Sequence, residues 1–519
     1  MILRVVAALA ALAAFAPSTQ ALPGPSGSPA RGERPPTIPA LREWTGLPGR
    51  FVLARSGRVI ARDAGVASEA RVLSADLRRR TGLRLAVLVD AAVPARAGDV
   101  VLELGDPDRG LGREGYRLSV GAWVRIRARA AAGAFYGTRT VLQLLARGRS
   151  IAAGEARDRP RYPERGLMLD NGRRYFSPGW IRRRIREMAY VKLNQLHLHF
   201  SDNQGFRVES ERHPEVVTRP FLTKAQVRGI VALARRHHIR VIGEIDMPGH
   251  LTAALRRHPE LQLAAPDGVR APDKLDVTDP AARRFARDLI LEYLPLFGGR
   301  YWHAGADEYL SETGYDAYPQ LRAWARGRYG PRANGADAYL GFIDWIDRLV
   351  RRRGRTLRVW NDGLSGGSAV RLRRHVVVDW WGDHSGPSPR ALVARGHRVL
   401  NAGWWPTYYV VGPLGSVRPS VKATYEDWHV NAFGGLALNL ALPPNRPVVL
   451  PARSRRVLGS ELHVWNDVPD AETDRATARG IAPRLRVLAQ RTWGSPDLAA
   501  TYAGFVRVER AVGLGRDVD

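Results

Sequence analysis

Cysteine is absent from all 519 residues, which excludes disulfides, thiolate metal sites and a cysteine nucleophile. Lysine is almost absent too: Lys192, Lys224, Lys274 and Lys422 are the only four among 80 basic residues, and arginine supplies the rest. Beyond residue 22 no apolar window is long enough to span a bilayer, so the chain is expected to be soluble once any leader is removed, with no transmembrane segment. There is no basic tail and no zinc-finger spacing, so no nucleic-acid module is expected. What is present is ordinary globular composition, 45% hydrophobic and 25% charged, which rules out a wholly disordered, collagen-like or coiled-coil chain. The net charge of +30 favours contact with anionic polymers such as acidic polysaccharide or a cell envelope. Coding bias that replaces lysine by arginine throughout would give the same composition without any partner, and the arginines are indeed spread along the whole chain.

Residues 1–21 pair Arg4 with an apolar stretch and end on Thr19-Gln20-Ala21, the pattern of a secretory signal peptide, and imply a secreted or envelope-associated protein. Residues 22–40 are rich in Pro, Gly and Ser and read as a linker. From 41 to 160, strand-like runs at 50–53, 83–89, 100–104, 116–120 and 123–128 with helices at 70–80 and 133–145 predict a small α+β domain. From 161 to 519 the pattern changes. Apolar runs at 166–170, 195–201, 240–246, 301–307, 356–361, 376–381, 398–402 and 461–466 alternate with helical segments such as 178–191, 224–238, 280–294, 336–353 and 471–491. Eight such alternations predict an α/β fold, a (β/α)8 TIM barrel. A doubly wound open sheet is the competing architecture, but no Gly-rich phosphate loop follows the first strand.

The active site of such a barrel lies at the C-terminal ends of its strands. Those ends carry Asp170, Asp202, Glu244 with Asp246, Asp307 with Glu308, Asp362, Asp383 and Asp467, interleaved with Trp360, Trp380, Trp381, Trp404, Trp405 and Trp465. A single carboxylate at a strand end is usually a cap. Carboxylates at seven of eight ends, with tryptophan at four, read instead as a sugar pocket, since an indole face suits the apolar face of a pyranose.

The motifs RGLMLDNGRRYF (165–176), LNQLHLHFSDNQGFRVE (193–209), GEIDMPGH (243–250), HAGADE (303–308), VWND (359–362) and ELHVWND (461–467) resemble those of glycoside hydrolase family 20 β-N-acetylhexosaminidases. The preceding domain resembles that family's N-terminal α+β domain, so the likeness covers nearly all of the mature chain. The resemblance implies retaining hydrolysis of terminal GlcNAc or GalNAc without cofactor or metal, the substrate's own acetamido oxygen serving as nucleophile. It implies Glu308 as general acid/base, Asp307 as the group that orients the acetamide, and Tyr408 as the hydroxyl on the acetamido carbonyl. Tyr409 competes with Tyr408, because the WWPTYYVV segment could slip by one residue. By the same resemblance His250 and Asp202 form a pair that tunes the acid; His250 read alone is as well a helix-start residue after Pro248-Gly249. Trp360, Trp381 and Trp465 would box the acetamido methyl and the sugar face, with Trp381 inward because it shares a strand face with Asp379. Arg165 resembles the arginine that holds the 3- and 4-hydroxyls, or is one more exposed arginine, and Asp467 would meet the 4- or 6-hydroxyl.

The chain departs from the family pattern at three places. Asn203 follows Asp202 where a second Asp is usual, Asp467 stands for a glutamate, and Val410 replaces an aspartate two residues beyond the tyrosine. The last two bear on the 4- and 6-hydroxyls, and leave open a disaccharide-releasing enzyme of lacto-N-biosidase type. A carbohydrate-binding envelope protein that kept the scaffold without turnover is the alternative from another class, motivated by the charge.

Overall fold

The computed structural model describes residues 33–311, 313–382, 386–412, 419–434 and 446–513. The leader at 1–21 and Asp383 lie outside the described residues.

Strand-length apolar runs with almost no polar alternation form parallel strands covered on both faces. Such runs build the second domain: Glu164–Asp170, Gln195–His199, Arg240–Glu244, Tyr301–His303, Thr356–Trp360, Val377–Trp380, Val399–Asn401 and Val457–Trp465. Each pairs in parallel with the next, and Val399–Asn401 pairs with Val457–Trp465, which in turn pairs with Glu164–Asp170. The sheet therefore closes on itself as an eight-stranded TIM barrel with helices outside. The helix starts follow local sequence: Thr223 and Gln226 make a reciprocal capping box for Lys224–Arg236, and Asn334 and Asp337 do the same for Gly335–Arg351. A short ninth strand, Tyr408–Val410, lies against Val457–Trp465 and was not foreseen.

The first domain is a seven-stranded mixed sheet carrying the helices Ala67–Thr81 and Ala131–Leu144. Its first strand, Glu43–Val52, is antiparallel to its last, Ser150–Asp158, which periodicity did not reveal. The expected linker at 22–40 needs correction at its end. Thr37, Ile38 and Ala40 are buried; the Ile38 N–H donates to Gln143 and the Ala40 N–H to Gln490, so this segment is sewn to both domains.

The two domains meet around Asp158. One carboxylate oxygen accepts from the Trp493 indole (2.8 Å) and the Arg42 N–H (3.2 Å), the other from the Tyr116 hydroxyl (2.7 Å) and the Lys192 ammonium (3.1 Å). Burial lowers the Lys192 pKa against the pull of that carboxylate. Among the described residues no helix is long and apolar enough to cross a membrane.

Candidate active site

The fourth barrel strand ends in His303-Ala304-Gly305-Ala306-Asp307-Glu308. Gly305 has φ +68, and a Cβ there would fall 1.7 Å from Asp246 Oδ1, so only glycine lets the chain pass this carboxylate. Ala306 and Glu308 also have positive φ, as does His250. Non-glycine residues in this region cost energy and persist where the surroundings fix them, as at functional sites. The Ala306 N–H donates to Asp246 and the Glu308 N–H to Asp362, so two further carboxylates hold the turn.

The turn delivers both acidic side chains to one imidazole. His250 Nε2 lies 3.2 Å from Glu308 Oε2 and 3.5 Å from Asp307 Oδ2, while its Nδ1 lies 3.3 Å from Asp202 Oδ1. Behind it, His199 donates to Asp202 through Nε2 (2.9 Å) and to Glu244 through Nδ1 (2.7 Å). Both ring nitrogens of His199 therefore meet carboxylates. Burial alone would lower the pKa of both histidines, but the facing carboxylates override it and raise each well above its ordinary value. Asp202 shifts the other way: burial opposes its charge, yet Arg173 and His250 hold its carboxyl below the usual range.

Asp246, Asp307 and Asp362 are raised, whereas the surrounding histidines hold buried Glu244 well below the usual range. Burial and the charge of Asp307 push Asp246 well up, and bring Asp362 to about 7. Burial, reinforced by Glu244 and Glu308 against the His250 cation, raises Asp307. Asp307 Oδ1 and Asp246 Oδ2 are buried without hydrogen-bond partners, the condition of acids built to carry a proton or receive a donor from a ligand.

An aromatic pocket adjoins these acids. Trp360 is buried at its floor, its indole N–H donating to Glu244 (3.0 Å). Trp381 is half-buried and donates to Asp362 (2.9 Å), whereas Trp380 turns away to pack on Phe433. Trp465 and Tyr408 pack together with ring centroids 5.9 Å apart, and Tyr408 stacks on Trp404. Tyr409 points out of the barrel and donates to Glu472. Tyr408, Trp360, Trp381 and Trp465 thus line one pocket beside Asp307 and Glu308, and Asp467 stands exposed at its rim.

Arg165 does not belong to this site. It lies at the N-terminal end of its strand, fully buried, donating to Glu114 (2.8 Å) and to the Lys192 and Tyr162 carbonyls, with its guanidinium over Trp493. A parallel barrel places that end opposite the catalytic mouth. The arginine at the mouth is Arg173, eight residues further along the same motif. It pairs with Asp202 (2.9 Å) and Asp170 (3.2 Å), and its guanidinium sits 5.1 Å from the centre of the Trp465 ring. Asp246, Asp362 and His199 were also without assigned roles; their strand-end positions were visible, their contacts were not.

Three residues of metal-ligating type, His197, Glu244 and His303, bring atoms within 4.8 Å of one another. They are fully buried in the barrel interior, against the Trp360 ring.

Paired strand-end carboxylates at the mouth of a TIM barrel, next to an aromatic pocket, define a carbohydrate-cleaving enzyme, a glycoside hydrolase. The family profile described as glycosyl hydrolase family 20, catalytic domain, matches residues 162–496, and that of the family's domain 2 matches residues 34–159. The chain belongs to glycosyl hydrolase family 20. It is 32% identical over 482 residues to a lacto-N-biosidase of Bifidobacterium bifidum, covering 92% of this chain but only 41% of that enzyme. The solved N-acetyl-beta-hexosaminidase of Streptomyces plicatus, in complex with Thio-NAglucal, superposes with TM-score 0.71 at 29% identity, covering 93% of this chain and 95% of that one. The GH20 beta-N-acetylhexosaminidase of Streptomyces coelicolor A3(2) gives 0.71 at 27%, covering 93% and 98%.

Proposed function

We propose that this chain is an exo-acting, retaining β-N-acetylhexosaminidase that removes terminal GlcNAc or GalNAc by substrate-assisted catalysis. The observation that carries the reading is the convergence of Asp307 and Glu308 on one nitrogen of His250, beside an aromatic pocket. Two carboxylates from consecutive residues, joined through one imidazole, do not flank a scissile bond from opposite faces as a protein nucleophile and its acid must. They suit a division of labour on one sugar. The acetamido oxygen attacks C1, Glu308 gives its proton to the departing oxygen, and Asp307 accepts the acetamide N–H and balances the charge of the oxazolinium ring. Water then adds to C1 from the face the leaving group vacated, Glu308 takes its proton, and the ring opens with retention.

The His250 cation stabilises the Glu308 carboxylate created by the first proton transfer, and Asp202, itself kept ionised by Arg173, keeps His250 charged. Tyr408 reaches the acetamido carbonyl from the side of Trp465, and Trp360 and Trp381 close around the methyl group. Arg173, rather than Arg165, is placed for the ring hydroxyls, with Asp467 at the rim. Hydrolysis of p-nitrophenyl β-GlcNAc tests the assignment: Glu308→Gln is expected to lose roughly 10²–10⁴-fold in rate. Equal rates for wild type and variant would remove Glu308 from the chemistry. Equal cleavage of the 2-hydroxy analogue, which lacks the N-acyl arm, would remove the substrate-assisted step.

The likeness to the Bifidobacterium lacto-N-biosidase supports a second reading, release of a disaccharide rather than a monosaccharide. Parallel assays with p-nitrophenyl β-GlcNAc and the p-nitrophenyl glycoside of lacto-N-biose separate the two. Export and contact with the cell envelope are part of this proposal and rest on the leader-like sequence at 1–21 and the +30 charge.

A further inference from the structure

A cleft of about 780 Å³ opens where the small domain meets the end of the barrel remote from the catalytic mouth. Its walls come from the approach to the first strand, the start of the third and the glycines that precede the fourth. Arg113, Arg159, Arg161, Arg235 and Arg240 line it. None of the five forms an ion pair among the described residues; Arg161 donates to a backbone carbonyl and lies over the Tyr162 ring, Arg240 donates to a backbone carbonyl, and the buried Nε of Arg159 has no partner. The one carboxylate in the lining, Glu114, is already held by Arg165 and Asn194. Elsewhere the chain pairs its arginines readily, as Arg58 with Asp99 or Arg157 with Asp108. Positive charge is therefore concentrated here without internal compensation. Its field is felt by the neighbouring Arg42, whose pKa is lowered by burial and then by Arg159 and, more weakly, Arg161, against the opposing charges of Asp158 and Glu43. Apolar side chains, among them the largely buried Leu111, Tyr162 and Ile239, make up part of the lining.

Several cations in a lining that also holds apolar side chains match a chain whose rings present apolar faces and whose substituents are anionic; a bare polyphosphate offers nothing to the apolar part of the lining. We propose that this cleft is a second glycan site, which takes an anionic saccharide chain bearing sulfate or carboxylate groups and holds the enzyme on acidic polysaccharide while the catalytic mouth stays open. The site stands apart from the hydrolytic centre, and its test does not depend on the reaction assigned there. Salt screens attraction between exposed charges, with a Debye length of about 8 Å at physiological ionic strength, so occupancy is expected to fall with NaCl.

The full chain is titrated by fluorescence polarisation with a labelled sulfated octasaccharide, a labelled oligouronate of equal length, a neutral chito-oligosaccharide and a single-stranded oligonucleotide. Binding of the sulfated or the uronate chain is expected, and which of the two binds identifies the anionic group. Arg235→Gln combined with Arg240→Gln is expected to weaken that binding at least tenfold, with hydrolysis of p-nitrophenyl β-GlcNAc unchanged. Arg326→Gln combined with Arg328→Gln removes the same charge from the helix Pro319–Tyr329, outside the cleft, and is expected to leave binding within about twofold. Equal weakening by both pairs would reduce the effect to overall charge and overturn the site. Tighter capture of the oligonucleotide than of either saccharide, or no anionic saccharide bound at low salt, would overturn it as well.

Discussion

The two ends of the barrel use the same residue types to opposite purposes. At the floor and the domain seam, two buried charges, those of Asp158 and Arg358, are saturated. Asp158 receives five donors on its two oxygens, and Arg358 is held by Asp379 (2.7 Å) on one side and Glu164 (2.8 Å), from the strand across the barrel, on the other. At the mouth, Asp246 and Asp307 keep buried oxygens without partners, like charges crowd together, and three non-glycine residues sit at positive φ. A fully paired buried charge specifies how elements dock. A half-paired one is held at a cost by its surroundings and is ready to exchange a proton or accept a ligand.

The arginines of the first motif put this contrast to its hardest test. Arg173→Gln removes a charged donor from the mouth, and at about 1.5–3 kcal/mol for a hydrogen bond to a charged group kcat/KM should fall roughly 10–150-fold. Some loss of stability accompanies it, since the partners Asp170 and Asp202 are buried. Arg165→Met should spare the chemistry instead. Breaking a buried ion pair costs about 3–5 kcal/mol, and Glu114 is partly exposed, so a loss near the lower figure is expected with kcat/KM of the folded enzyme intact. Denaturant unfolding and steady-state kinetics on both variants check the pair. A kinetic defect in the stable fraction of Arg165→Met would erase the division between floor and mouth.

That division also marks how far the sequence could be read. The barrel was legible because its strands are near-continuous apolar runs, as in 195–199 and 356–360, and the small domain because its two helices and short strands stand out. The distance of Arg165 from the site is readable on physical grounds. The first strand runs from Glu164 to Asp170, so at about 3.3 Å per residue Arg165 lies some 17 Å short of the strand's end, too far for its side chain to share a site with Asp307. The identity of Arg173 was not visible, because its role rests on Asp202 and Trp465, contributed by distant segments. The burial of 37–40 was hidden for a related reason: a proline-rich stretch carries no periodicity, and what fixes it is Gln143 and Gln490 far along the chain. The choice of Trp381 over Trp380 came from two-residue alternation alone, and the indole of Trp381 does face Asp362.

Asp362 turns the contrast into a dependence on pH. Its carboxyl is neutral to about pH 7 in the folded protein, because burial and Asp307 disfavour its charge, while in the unfolded chain it ionises near pH 4. Between those values the unfolded state has given up a proton that the native state retains, so this group lowers stability as pH rises from 4 to 7 and adds nothing further above 7. Asp362→Asn abolishes the titration. It forfeits one of the hydrogen bonds accepted from the Glu308 N–H and the Trp381 indole, a cost independent of pH. The stability of the variant relative to wild type should therefore improve steadily across that interval and level off beyond it. Chemical denaturation at half-unit steps reads the difference, and a flat difference would mean that Asp362 is ionised throughout.

The smallest effects fall to two neighbouring tyrosines, and they separate the ends of the site most finely. Tyr408 and Tyr409 are adjacent on one short strand, so alternation sends their hydroxyls to opposite sides. Tyr409 is spent on Glu472, outside the pocket, and Tyr409→Phe should lose about 1 kcal/mol of stability with kcat unchanged. Tyr408 sits among Trp404, Trp465 and His463, where burial drives its phenol well above the ordinary pKa and keeps the hydroxyl protonated as a donor. Loss of one neutral hydrogen bond to the reacting acetamide is worth about 0.5–1.5 kcal/mol, so Tyr408→Phe should reduce kcat roughly two- to tenfold with little change in melting temperature. Because that bond is to the acetamide, the deficit should shrink for a substrate whose N-acyl group is made a poorer acceptor by fluorination. A deficit that stays constant across N-acetyl, N-fluoroacetyl and N-trifluoroacetyl substrates would place the Tyr408 hydroxyl on some other part of the sugar.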